Sequence, residues 1–245
     1  MKKIILNFLK ADVRMPQLMF WDWMFPVILI VVIGIFVGKG SLSTFLFPGF
    51  LAFFLMQSII FSIPYRLAQF NETGILRFIR EKGSVGKLLF GFYGSRFFII
   101  LIQMAIVLLV GKLAMKVEFT INAPIFVLAF VMTLVVFFII ATIIGMLTKT
   151  QNAALGLSQA VYFVLIGVSG IVYPLDKSPA LLVAISHISP LRYIHELWQI
   201  ALYNQASVDG LHLLILLAMS AIGGLIIFQL SKSRRDVALE GCAQN

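Results

Sequence analysis

Charge is scarce in this chain. Of 245 residues, 12% are Asp, Glu, Lys or Arg, while 61% are hydrophobic. The mean hydropathy is +1.03. That balance excludes a water-soluble globular fold and selects an integral membrane protein. Cysteine is nearly absent too. Cys242 is alone, so no internal disulfide can form. The apolar stretches contain no Asp or Glu. Ion-coupled and proton-coupled transporters need buried carboxylates, and ion-selective pores need dense charge, so both classes are disfavoured. A phosphate-binding G-x-x-x-x-G-K-[ST] string is missing as well. The nearest run, Gly83-Ser84-Val85-Gly86-Lys87, lacks the spacing and the following hydroxyl. The chain is not expected to hydrolyse ATP by itself. His187, His195 and His212 match no metal-ligand spacing, and Arg192 is the simpler partner for Glu196. No metal site and no catalytic centre is expected.

Apolar runs long enough to cross a bilayer make up most of the sequence. A span needs about 20 such residues. Six are expected: Trp23–Gly38, Phe45–Pro64, Leu88–Gly111, one within Phe119–Thr148, one within Thr150–Leu175, and Gly210–Ser231. The fold class is therefore an all-α membrane protein forming one transmembrane domain. Residues 1–20 read as an interfacial helix: Lys3, Asn7, Lys10 and Arg14 form a polar stripe, and Trp21 and Trp23 follow as interfacial anchors. Arg96 lies inside the third span and must be shielded or reach the headgroups. Residues 178–191 contain no charged side chain, are too short to cross, and carry Pro179 and Pro190 near their ends with His187 between. A re-entrant segment fits them best. Residues 232–245 form a polar tail.

Six spans put both termini on one side. If that side is cytoplasmic, 14 of the 19 Lys and Arg residues lie inside, and Lys39, Lys112, Lys116, Lys177 and Arg192 lie outside. The bias favours N-in, C-in topology. It also accounts for the net charge of +9 without nucleic acid as a partner. Neutral polar residues occur within the spans. Gln57, Gln103, Gln159 and Ser169 are candidates for a path along which an amphiphile moves; interhelical hydrogen bonding is the simpler role for such groups.

Residues 65–87 form the charged interruption: YRLAQFNETGILRFIREKGSVGK. Asn71 and Thr73 are candidate caps for a short basic amphipathic helix with Ile75, Leu76, Phe78 and Ile79 on its apolar face. Such a helix can bind anionic lipid or dock a cytoplasmic motor. Glu72-Thr73-Gly74-Ile75-Leu76-Arg77-Phe78-Ile79 has the form E-x-G-x-L. Phe25-Pro26 stands in the first span. Ser169-Gly170-Ile171-Val172-Tyr173-Pro174, Ser178-Pro179 and Ile188-Ser189-Pro190-Leu191-Arg192-Tyr193 precede the last. In this order, over nearly the whole chain, these strings resemble the membrane subunit of ABC-2 type ABC transporters, the bacterial drug and antibiotic exporter permeases. One departure is Lys82-Gly83-Ser84, where the family often has a Pro-containing turn; glycine can make that turn.

The resemblance implies a coupling helix between the second and third spans and a re-entrant segment before the sixth. It implies a homo- or heterodimer of permeases in the bacterial inner membrane, served by two copies of a separate P-loop ATPase. ATP and Mg would be bound there and no cofactor by this chain. Asn71, Glu72, Thr73, Gly74, Ile75, Leu76, Arg77 and Phe78 are the expected ATPase-docking residues. Glu72 would pair with a basic residue of the ATPase and Gly74 would allow close approach. The function so implied is ATP-driven export of an amphiphilic antibiotic, antimicrobial peptide or lipid-linked molecule, as in drug resistance. The alternatives are a membrane enzyme acting on lipids, for which no polar catalytic cluster is found, and a non-transporting sensor or assembly factor.

Overall fold

The computed structural model describes residues 2–13, 20–37, 40–75, 85–171, 179–204 and 208–243. Among these residues the structure is helical, without strands. α1 is Lys2–Val13; a π-helical turn, Phe20–Met24, leads into α2, Phe25–Val37. Then follow α3 (Ser41–Glu72), α4 (Val85–Ala114), α5 (Ala123–Leu147) and α6 (Gln151–Val168). The chain ends with α7 (Ala180–Ser186), α8 (Pro190–Tyr203) and α9 (Gly210–Ala243). Five of them, α3, α4, α5, α6 and α9, are long and apolar enough to cross a membrane. α2 is equally apolar but has 13 residues, about 20 Å at the helical rise. The π-helical turn before it lengthens the first span toward the thickness of a bilayer core.

α3 is the centre. Over its most apolar stretch 78% is buried, against 11% for α9 and 17% for α6. It packs against α5, α6, α8 and α4. It is also longer than the sequence suggests. An end at Pro64 is the natural reading, because a proline removes one backbone donor and crowds the preceding turn. The helix instead continues through Pro48 and Pro64 to Glu72. Neighbouring helices stabilise such interruptions inside membranes, and here α5 packs directly on Pro64. A Cβ on Gly145 would lie 3.2 Å from the Pro64 Cα and 2.9 Å from the Leu67 Cβ. At 32 residues, α3 is about 48 Å long and outreaches a core of about 30 Å. Arg66, Gln69 and Glu72 ride on its final turns. The charged loop thus begins after Glu72, and residues 65–72 belong to the span.

The ends of α5 and α6 are set by local chemistry. Asn122 opens α5: its Oδ1 accepts from the Ile125 N–H at 3.4 Å, and Pro124 occupies the first turn, where it forfeits no hydrogen bond. Thr150 opens α6, its Oγ1 accepting from the Ala153 N–H at 3.2 Å. α9 runs on without a break past its apolar stretch, which ends at Lys232, so the tail is helical to Ala243.

The described residues of the segment expected to re-enter the membrane, 179–191, lie on a helix–turn–helix, called the hairpin below. α7 is one limb, His187 and Ile188 make the turn, and α8 is the other limb. The second limb continues twelve residues beyond Leu191, where the uncharged stretch ends. Arg192, a good helix former, lies in its first turn and contacts Ser186 and Glu196. α8 is buried along most of its length: Trp198 is fully enclosed, donating its indole N–H to Thr133 Oγ1 on α5 at 3.1 Å, with Phe126 edge-on at 5.1 Å.

Close approach at Gly145 yields a direct test. Gly145→Leu has no room between α3 and α5 and should destabilise the purified protein by about 1–3 kcal/mol. Gly167→Leu, on an open face of α6, should change little. Thermal melting of the two variants in detergent distinguishes these outcomes.

Candidate functional site

Two sets of polar contacts sit at opposite ends of α3. At its C-terminal end two arginines are buried. Arg66 on α3 and Arg96 on α4 both point at Asp12 of α1, with Arg66 Nη2 at 2.5 Å and Arg96 Nη2 at 3.0 Å from Asp12 Oδ1. The Arg96 side chain is completely enclosed. Arg66 also donates to Gln69 Oε1 at 2.8 Å. Phe8, Phe70 and Phe92 pack mutually at 5.8 to 6.0 Å and shield this end of α1 against α3 and α4. Arg96 is therefore shielded by a carboxylate and does not reach for headgroups. The signal that could have located that carboxylate was Asp12 itself, an acid on the apolar side of α1, opposite the basic stripe.

Beside this cluster lies the expected docking segment. Asn71 and Glu72 form the last turn of α3. Thr73 closes that helix: its N–H and its Oγ1 both donate to the Gln69 carbonyl, at 3.0 and 2.7 Å. Asn71 and Thr73 thus complete α3; the short helix that they were expected to cap lies mostly outside the described residues. Gly74 has φ 70°, the left-handed region open to glycine, and nothing lies within 4 Å of an added Cβ. The turn accounts for this glycine. Ile75 is exposed; Leu76, Arg77 and Phe78 lie outside the described residues. The Glu72 carboxylate accepts from the Gln151 N–H at 2.9 Å and from the Gln151 side-chain amide. Gln151 was not singled out from the sequence, since a glutamine at a helix start has no distinctive pattern.

The path candidates are spread over α3, α4, α6 and the residue that follows α6. Gln57 is buried on α3 and accepts from the Tyr162 hydroxyl of α6 at 3.0 Å. Ser158 of α6 donates to the Ile60 carbonyl of α3 at 2.8 Å. These contacts are interhelical ties. Gln159 follows Ser158 by one residue, about 100° round the helix, and is exposed. Gln103 is buried on α4. Ser169 is buried at the end of α6, where its hydroxyl donates to the Ile166 carbonyl at 2.9 Å and accepts from the Ile171 N–H at 3.3 Å.

At the other end of α3 the hairpin is held on three sides. Pro179 opens α7 and is exposed; Pro190 opens α8 and is buried. His187 is exposed at the turn, its carbonyl accepting from the Tyr193 hydroxyl at 2.8 Å. Thr120 and Asn122 N–H groups donate to the Leu202 and Ala201 carbonyls at 2.8 and 2.9 Å, pinning the α4–α5 connection to the end of α8. Glu196 joins Arg192 at 3.4 Å and His212 of α9 at 2.7 Å. His195 is buried against the first turns of α3, with the Phe45 ring at 6.2 Å and Nε2 at 3.5 Å from an added Gly49 Cβ. Among the described residues no group of three His, Cys, Asp or Glu is placed to hold a metal.

Five helices long and apolar enough to cross a membrane, with polar contacts serving helix association, define a multi-pass membrane protein. The profile of the ABC-2 type transporter family matches residues 4–203, and the chain belongs to that family. It is the permease subunit of an ABC transporter, a role that implies association with an ATPase component. No curated protein matches it closely enough to count as a relative.

Removing the Asp12 charge leaves Arg66 and Arg96 buried without their shared counter-ion. Asp12→Asn should therefore cost about 3–5 kcal/mol of stability. Asp209→Asn, at an exposed site, should be close to neutral. Melting temperatures of the purified variants check the contrast.

Proposed function

We propose that this chain is the membrane-spanning half of an ATP-driven exporter, moving an amphiphilic substrate from the cytoplasm or inner leaflet outward. Antibiotics, antimicrobial peptides and lipid-linked molecules fit that description, and resistance to such compounds is the corresponding role. A second permease chain completes the pathway, and two copies of a cytoplasmic P-loop ATPase drive it. The observation that carries the reading is the α3–α4 connection. It begins at the protruding end of the most buried helix, shares its end of the bundle with the α5–α6 connection, and is the most charged interruption between spans. An ATPase pressing there would act on the helix that touches most of the others. Docking falls to the segment Asn71–Phe78, within which the Glu72 carboxylate is turned to Gln151, and the energy source is external because the chain has no phosphate-binding loop of its own.

The charge distribution supports a cytoplasmic α3–α4 end, together with both termini. Fourteen of 19 basic residues then lie on that side. The apolar runs of the sequence hold no acidic residue, which disfavours coupling to an ion gradient.

Two experiments check this reading. In a Cys242→Ser background, a cysteine replacing Lys116 should react with an impermeant maleimide from outside the cell, and one replacing Lys232 only after the membrane is opened. Labelling of both from one side contradicts the topology. Affinity purification of the permease should recover a P-loop ATPase whose hydrolysis depends on the permease. Recovery of no ATPase, or of one indifferent to the permease, contradicts the coupling.

A further inference from the structure

We propose that Glu72 is a positioning residue: its bond to Gln151 joins the α3–α4 loop to the α5–α6 loop, so that both respond to the ATPase as one body. This inference rests on the coupling reading above.

The argument starts at the N-terminus of α6. The first four N–H groups of a helix have no partner within it. Thr150 satisfies one of them, at Ala153. Gln151 is the first helical residue, and its N–H donates to Glu72 Oε1 at 2.9 Å while its side-chain amide donates to Oε2. Both oxygens of one carboxylate are thus used by one residue of a different helix. The positive end of the α6 dipole favours the ionised form of that carboxylate. A two-point contact fixes orientation as well as distance, which a lone surface ion pair does not.

Its position is what makes it mechanical. Glu72 is the last residue of α3, and two residues later the chain turns at Gly74 with φ 70°. The residue from which the loop departs is therefore tied to α6. Below it the same two helices are joined at Ile60 with Ser158 and at Gln57 with Tyr162. Those two ties hold the buried parts of α3 and α6 together, and the Glu72 bond extends the pairing to the loops. A carboxylate occupied in this way is not free to pair with a basic residue on the ATPase, so its contribution to coupling runs through α6.

Glu72 is exposed, and exposed polar contacts add little to stability. Variants should therefore fold, and transmission can be separated from integrity. Gln151→Pro removes the N–H and the side-chain amide together, at a first-turn position where proline is well accommodated. Glu72→Ala removes the acceptor. The complete permease–ATPase complex, reconstituted in lipid vesicles, is assayed for ATPase retention and ATP hydrolysis.

Glu72→Ala and Gln151→Pro should each lower permease-dependent hydrolysis by about fivefold or more, with the ATPase retained and the melting temperature unchanged. The double variant should be no worse than either single one, because both remove the same bond. In a Cys242→Ser background, cysteines replacing Glu72 and Gln151 should behave like the single variants when reduced and regain hydrolysis when oxidised to a disulfide. If Glu72→Ala releases the ATPase while Gln151→Pro keeps it, Glu72 is a direct ATPase contact and the inference is wrong. Full hydrolysis in both single variants also overturns it. An unmodified permease that leaves ATP hydrolysis unaltered overturns the coupling reading itself, and that result is read before any variant is made.

Discussion

A helix enclosed by protein in the middle of a membrane must satisfy its polar groups from its neighbours, because hydrocarbon offers none. α3 lives under that constraint. Lipid is as apolar as leucine, so burying its phenylalanines against other helices supplies no hydrophobic driving force of the kind that folds soluble proteins. Association has to come from close packing and from a few well-placed hydrogen bonds. Both are found along α3. Its partners approach through glycines: Gly145 of α5 against Pro64 and Leu67, and Gly111 of α4 against Phe47. Its polar side chains and one of its carbonyls are used across helices, as in the Gln57–Tyr162 and Ile60–Ser158 contacts.

The same constraint explains the charge at the end of α3. An arginine cannot be buried alone in a medium that does not solvate it. Arg66 and Arg96 come from separate helices, and one carboxylate from a third meets both. A helix that would otherwise lie on the membrane surface by amphipathicity is thereby fixed to α3 and α4. Amphipathicity sets which face of α1 is apolar, and Asp12 sets where the helix sits.

Much of this architecture was legible in the sequence and some was not, and the division has a physical basis. Run length and apolarity are local properties, so the helices of the six expected spans and the helical character of α1 could be read one residue after another. So could the family, because its strings are short and ordered along the chain. The boundary at Pro64 was misjudged because a tertiary contact overrode a local signal. Packing against Gly145 carries α3 through its proline. The path candidates were chosen as polar residues within apolar runs, a rule that does not say which face of a helix a residue occupies. It selected the buried Gln57 and the exposed Gln159 alike. Pairs distant in sequence, Asp12 with Arg96 or Glu72 with Gln151, leave no periodic trace in either segment.

The distribution of contacts along α3 bears on how such a chain could work. One uninterrupted helix runs from Glu72, beside the charged loop, to its first turns beneath the hairpin, where Phe45 and Gly49 meet His195. A rod of this kind carries displacement from one end to the other without intermediate loops, and its two prolines are the places where it can bend. α9 has little protein around it and touches the hairpin through His212 and Glu196. α6 is also largely uncovered but is tied to α3 at three levels. On the exporter reading, α3 and α6 then move together, and the hairpin is where that motion meets the helices that remain in place. On that reading Gln57 is poorly suited to line a path, because its side chain is already engaged in holding α3 to α6, whereas Gln159 is exposed.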